Sequence, residues 1–432
     1  MTRMAEGPVH VTCTCGRRER LRNVRGRTPW RDENSAVGPT IRVKSTMAVR
    51  DAFARLKPHC FVSRRAGLAW LSALALLASC AAPPTGERSA PKAVFYPAAP
   101  EPPRIQYLTS FATERDLKDL DSGFARFIAG EDKSAVRLVL PYGVVAFEGK
   151  IYVIDTRRAE MLAFDLAKRT LSSFPGSGGG RMKRPINLTI DRDGTKYVTD
   201  TGRDQILVFD RDDRFVRALG SPEQFRPVDV AIAGDRLYVV DIKNHQVHVL
   251  DKRTGRLLHK FGQAGSGPGE LFQPTNIAIG PDGDLYVVET GNFRVQRFKP
   301  DGTVARTYGT IGNTPGTFAR PKGIAVDRAG RLYVSDAAFQ NVQIFSNDGR
   351  VLMAFGQPEG DFSGLSLPAA VSIDYDHVAA FRRYADPRFD LECVVLVASQ
   401  VTPSRIDVFG LGRMQGIPYP PEAPPLPAPS TR

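Results

Sequence analysis

Along most of the chain, short apolar runs alternate with polar turns in a pattern that returns six times. Each copy opens on a proline-led apolar run, passes into a strand of the type Leu-Tyr-Val-Val-Asp, and then into one ending in Val-Phe-Asp. The clearest copy runs from Pro274 through Asn276-Ile-Ala-Ile-Gly-Pro-Asp-Gly283. It continues as Leu285-Tyr-Val-Val-Glu289, Val295-Gln-Arg-Phe298 and Val304 to Gly309. Matching prolines at 141, 185, 227, 274, 321 and 368 are spaced by 44, 42, 47, 47 and 47 residues. A period in this range is the mark of a repeat array.

Each copy offers four short runs rich in Val, Ile, Leu, Tyr and Phe, separated by turns such as Asp193-Gly194, Asp282-Gly283 and Asp348-Gly349. Four strands in a unit of this length make a propeller blade, and the 3.6-residue apolar period of a helical repeat is absent. The expectation is an all-β, six-bladed β-propeller with four-stranded blades. The sixth copy supplies only three strands, Ala369 to Tyr375, Glu392 to Ser399 and Arg405 to Phe409, before it runs into Gly- and Pro-rich sequence. A spare strand, Arg104-Ile-Gln-Tyr-Leu-Thr-Ser-Phe111, stands upstream of the first blade. An open sheet edge is a liability, so this N-terminal strand is expected to complete blade six and close the ring.

Pro321-Lys-Gly-Ile-Ala-Val-Asp327, Gly330-Arg-Leu-Tyr-Val-Ser-Asp336 and Val342-Gln-Ile-Phe345 resemble the NHL-repeat family of β-propellers. The resemblance spans roughly residues 104 to 410, and its strength lies in repetition. Three further segments, Pro103 to Phe111, Phe124-Ala-Arg-Phe127 and Ile373-Asp-Tyr-Asp376, are similar to bacterial lipoproteins of the NHL type.

The formal charge of +13 is unevenly placed. Residues 1–65 hold 15 Lys and Arg against 5 Asp and Glu, which leaves 44 against 41 for the rest. The basic character therefore belongs to the leader, and a nucleic-acid partner loses its support. Arg64-Arg65 precede an apolar stretch from Ala66 to Ala78 that has the length of a signal-peptide core and is too short to span a membrane. It ends in Leu77-Ala-Ser-Cys80, which resembles the lipobox of bacterial lipoproteins and marks Cys80 as the lipidation site. Met47 would give a leader of ordinary length.

The expected organisation is an N-terminal extension plus signal peptide over 1–79, a Pro-rich tether over 80–103, the propeller over 104–412 and a Pro-rich tail over 413–432. The expected location is exported and membrane-anchored. Cys393, in a strand of blade six, reads as a buried filler.

If strands alternate in direction, the loops entering each inner strand and those joining second to third strands emerge on one face. The second position after each proline there reads Gly143, Asn187, Asp229, Asn276, Gly323 and Ala370. Asn187, Asp229 and Asn276 offer oxygen ligands resembling part of the calcium site of gluconolactonase-type propellers. The same residue types also serve the tight backbone entering a strand. No cofactor is expected other than calcium, which prefers several carboxylates and six or more oxygens.

The same face carries Arg157, Arg158, Arg184, Arg203, Arg226, Lys243, Arg294, Arg320 and Lys322, against Glu223, Glu270 and Glu359. Arg184, Arg226, Arg320 and Lys322 are the candidate partner-binding residues. Asp155, Asp200, Asp241, Asp336 and Glu289 are expected to cap the turn after each second strand. No catalytic residue is assigned. After the leader only His245, His248, His259 and His377 remain, and neither His-Glu-x-x-His nor Gly-x-Ser-x-Gly occurs.

The insertion from His377 to Phe389 is expected to project from the opposite face, either over the channel mouth or as a partner-binding element. The first functional expectation is a lipid-anchored, non-catalytic module binding a protein or polymer at the bacterial cell envelope. The alternative is a calcium-dependent hydrolase or lyase.

Overall fold

The structure, a computed structural model, describes residues 93–118, 136–360 and 362–420. The leader, Cys80, the first part of the tether, Phe124-Ala-Arg-Phe127 and the tail from 421 lie outside the described residues. Six antiparallel sheets follow one another around a ring. Blade one is Pro141–Phe147, Lys150–Asp155, Glu160–Asp165 and Thr170–Phe174, in that order from the axis outward. The inner strands of the next five blades are Pro185–Ile190, Pro227–Ala233, Pro274–Ile279, Pro321–Val326 and Pro368–Asp374. Each contacts the next, and the sixth contacts the first, so the ring is closed.

The repeated proline has a physical role at that place. It lacks an N–H, so it is tolerated as the first residue of a strand with a free edge, and all six inner strands begin on it. Every proline pairs with the last residue of the second strand, as in Pro141 with Asp155 and Pro227 with Asp241. In all six blades the register then shifts just after the proline. Such an irregularity re-aims the side chains it carries. Here those are the first and second residues after the proline, at the end of the channel.

The tyrosines of the second strands, Tyr152, Tyr197, Tyr238, Tyr286 and Tyr333, are all buried between blades. They belong to the apolar contacts that hold neighbouring sheets together. Cys393 is buried with them and free, and burial pushes its thiol up to about 12.

Ring closure follows the expected route. Strand β2, Ile105–Phe111, pairs antiparallel with Arg405–Met414 as the fourth strand of blade six. The segment read as an extended tether departs from that reading, because β1, Phe95–Tyr96, pairs with Gln106 and Ile105 as a fifth strand. Val94 and Tyr96 are buried there against blade six, which gives this proline-rich stretch an apolar anchor. The far boundary also moves, since Arg405–Met414 runs past 412 and Tyr419 packs back on the ring. Its hydroxyl donates to the carbonyl of Pro103 at 2.7 Å, and its ring lies between Arg104 and Arg413.

The insertion does not cover the channel. It forms a short helix, Val378–Phe381, and a 3₁₀ turn, Arg382–Tyr384. Phe381 is buried in the cluster that holds Phe111, Phe164 and Phe389, and Gln106 bonds to Tyr384 and Asp386. His377 accepts from the Gly149 N–H at 2.6 Å, while its Nδ1 faces Asp374. Phe381 and the partly buried Tyr384 of the insertion add to the apolar cluster between blades six and one, beside Ile151, Val153, Val394 and Leu396.

Candidate binding site at the channel mouth

Five buried carboxylates build the rim before any ligand is considered. Asp200 accepts from the N–H groups of Lys183 and Arg184 at 2.6 and 3.0 Å, and from those of Gly202 and Arg203 at 2.9 and 3.1 Å. Asp155, Asp241 and Asp336 likewise bond both to their own turn and to the residues before the proline. Glu289 reaches the Phe272 N–H. The expected turn caps are thus also staples between two loops. In blade six Ser399 stands in the acid's place, accepting from Ser366 and donating to the buried Asp407 at 2.6 Å.

Above these staples, the arginines directly before the prolines of blades two, three and five are exposed. Arg226 pairs with Asp204 at 2.9 Å. The guanidinium groups of Arg184 and Arg320 have no hydrogen-bond or ion-pair partner among the described residues, nor does that of Arg157. Arg158, Arg203, Lys243 and Arg294 are engaged by Glu160, Gln205, Pro222 and Glu289 respectively. Arg294 also braces the Gly-rich loop through the carbonyls of Ser266, Gly267 and Glu270. His245 and His248 face apart as their spacing predicts. One stacks on Phe272, while the other lies 3.2 Å from Asp241.

At the axis the structure brings Asn187, Asp229 and Asn276 together. Asp229 Oδ1 accepts from the Val230 N–H at 2.8 Å, and Oδ2 from the Ile277 N–H at 2.9 Å and Asn276 Nδ2 at 3.3 Å. Burial outweighs these bonds and that of Asn187, pushing the carboxyl up to about 7. Asn187 Oδ1 accepts from the Leu188 N–H at 3.0 Å. Room for it comes from Gly143, where an added Cβ would come within 2.3 Å of that oxygen. Below lies a cavity of about 240 Å³ lined by these three residues and by Val144, Leu188, Val230, Ile277, Ile324 and Val371.

One residue the sequence reading passed over, Tyr142, and one it named for partner binding, Lys322, complete the mouth. Tyr142, first after the proline of blade one, reaches across to blade four and donates to Asn276 Oδ1 at 3.3 Å. Burial, then the charge of Asp229, raises its phenol above the ordinary range. Lys322, at the same position in blade five, lies over the Tyr142 ring with Nζ 5.6 Å from its centre. Its ammonium donates to Gln400 Oε1 at 2.8 Å. Burial and the neighbouring charge of Arg320 bring the amine down to about 8. Reading the first residue after each proline beside the second would have set Tyr142 next to the already named Lys322, apart from Ile186, Val228, Thr275 and Ala369.

This donor set does not fit calcium. It holds one carboxylate whose two oxygens already accept backbone N–H groups, two carboxamides, and a cation overhead, where calcium takes six to eight oxygens with several carboxylates. Among the described residues no group of three His, Cys, Asp or Glu side chains is placed to hold a metal ion.

The profile of a family described as a 6-bladed beta-propeller matches residues 225–302 of the chain. Three solved structures are similar to the chain at low identity. A protein of unknown function from Bacteroides thetaiotaomicron is 15% identical, covering 71% of this chain and 75% of that one, with a TM-score of 0.49. A gluconolactonase from Xanthomonas campestris is 18% identical, covering 75% and 99%, with a TM-score of 0.47. A virginiamycin B lyase from Staphylococcus aureus is 14% identical, covering 63% and 95%, with a TM-score of 0.45. These are likenesses of architecture, and fold does not fix function.

Proposed function

We propose that the chain is a lipid-anchored, non-catalytic propeller of the NHL type that holds an acidic protein or polymer at the bacterial cell envelope. The observation that carries this reading is the excess of positive charge around one end of the channel. The guanidinium groups of Arg184 and Arg320 are exposed and unpaired among the described residues, Arg226, paired with Asp204, stands at the equivalent place in blade three, and Lys322 has no carboxylate within ion-pair distance among the described residues. A rim with an excess of one sign attracts partners of the other and speeds their approach. Anchoring rests on Leu77-Ala-Ser-Cys80 and the proline-rich stretch that follows.

Two measurements test the proposal. Cys80→Ser should move the folded protein from the membrane fraction to the soluble one; retention after a carbonate wash sinks the anchor. Reversing Arg184, Arg226 and Arg320 to Glu should lower recovery of the crosslinked envelope partner about tenfold, and unchanged recovery sinks the binding face. A calcium-dependent hydrolase or lyase would instead show calcium-dependent lactone or ester cleavage that Asp229→Ala abolishes.

A further inference from the structure

The Lys322 ammonium has three N–H donors, of which Gln400 Oε1 takes one, and its other close neighbour is the face of Tyr142. Arg320 stands one residue before Pro321 and Lys322 one residue after it, so both cations come from the loop that enters the inner strand of blade five. Gln400 is buried, its oxygen is fixed towards Lys322, and its amide nitrogen has no acceptor among the described residues. Lys322 in blade five and Gln400 beside blade six thus keep N–H donors that no acceptor among the described residues takes.

We propose that Lys322, Arg320 and Gln400 form a carboxylate-binding site beside Tyr142 at the channel mouth. The two ends of a carboxylate match the ammonium and the guanidinium, and charge-assisted N–H donors are its strongest partners. Phosphate suits the site less. Its usual backbone donors are consumed here, because the N–H groups of Ala319 and Arg320 go to Asp336 and that of Gly323 to Ser335. The carboxylate is that of a free small acid or of an acidic side chain on the partner proposed above, and only the second source rests on that proposal.

The test follows Lys322 itself. The intact protein is acylated across pH 6 to 10, and modification of Lys322 is read by peptide mass spectrometry with acetate, inorganic phosphate or a polyglutamate peptide present. Without anion the half-reaction point should lie near pH 8. Acetate should raise it by about one unit, which lowers modification at pH 7 about tenfold. Arg320→Gln, which keeps the backbone bonds to Asp336, should remove most of that protection.

Arg184→Glu with Arg226→Glu should leave acetate protection intact and weaken only that of polyglutamate, which identifies an acidic chain as a source. Acetate protection without polyglutamate protection supports the site with a free acid as its source and counts against the partner face. A midpoint unmoved by both acetate and polyglutamate overturns the site, and protection by phosphate alone overturns the carboxylate assignment.

Discussion

The hydroxyl of Tyr142 in blade one donates to the carboxamide oxygen of Asn276 in blade four, 3.3 Å away on the far side of the ring. Blades one and four are opposite each other in a ring of six, so this side chain spans the axis. It separates a polar cluster holding one buried acid from a mouth holding two cations. The two charged layers respond to pH in opposite senses.

Asp229 binds its proton more tightly in the folded protein, at about 7 against 3.8 unfolded. Its contribution to stability is complete below about pH 4, declines as pH rises from there to 7, and is then constant. The span is worth about 4 kcal/mol at most. Asp229→Asn removes the decline. Urea unfolding at pH 4, 5.5 and 7.5 should show the variant gaining on the native protein through that window and no further above it. A constant difference across the series would refute the assignment.

Lys322 sheds its proton more easily when folded, at about 8 against 10.5. The cost of holding it charged is complete below pH 8 and fades as pH rises from 8 to 10.5. Lys322→Met should therefore melt a few degrees higher than the native protein at pH 7, with the gap closing above pH 10.5. Destabilisation at pH 7 would mean that its bond to Gln400 matters more than its charge.

Asp200 satisfies four backbone N–H groups from two loops. Asp200→Ala strands those donors at the rim and should cost about 3 kcal/mol or more in denaturant unfolding. Asp200→Asn, which keeps one acceptor, should cost clearly less. Equal losses for the two variants would locate the effect in packing.

A chain begun at Arg104 lacks β1 and the buried Val94 and Tyr96, while one begun at Glu114 also lacks β2. The first should unfold cooperatively with its melting point lowered by several degrees. The second leaves the third strand of blade six as an open edge and should aggregate or lose its single transition. Identical melting of the two would defeat closure by β2.

The blades were legible because the proline, the Tyr-Val-x-Asp strand and the glycine turns answer to local rules that each repeat states afresh. The supply of the sixth blade's missing strand from upstream was legible by counting. Residues 93–103 were not, since proline-rich sequence reads as extended and only the tertiary contacts of Val94 and Tyr96 turn it into a strand. For the insertion after His377, the sequence left a cover over the channel mouth and a partner-binding element both open, because the burial of Phe381 and Phe389 with Phe111 is a tertiary contact that the local pattern does not encode.

At the site, Asn187, Asp229 and Asn276 were found by position. Tyr142 was missed because its partner lies 134 residues away, a separation no repeat period encodes. The arginines proved unequal for a similar reason, as whether Asp204 stands beside one of them depends on a neighbouring blade.

The strand that completes the ring pairs residues Ile105 to Phe111 with residues Arg405 to Met414, and Tyr419 fastens the carbonyl of Pro103. The earliest segment of the fold to leave the ribosome therefore waits for one of the last. Every shorter nascent chain is an open arc with an unpaired edge, so a protein cut short by a late stop codon is marked as incomplete by its own shape and exposed to proteases before it acts.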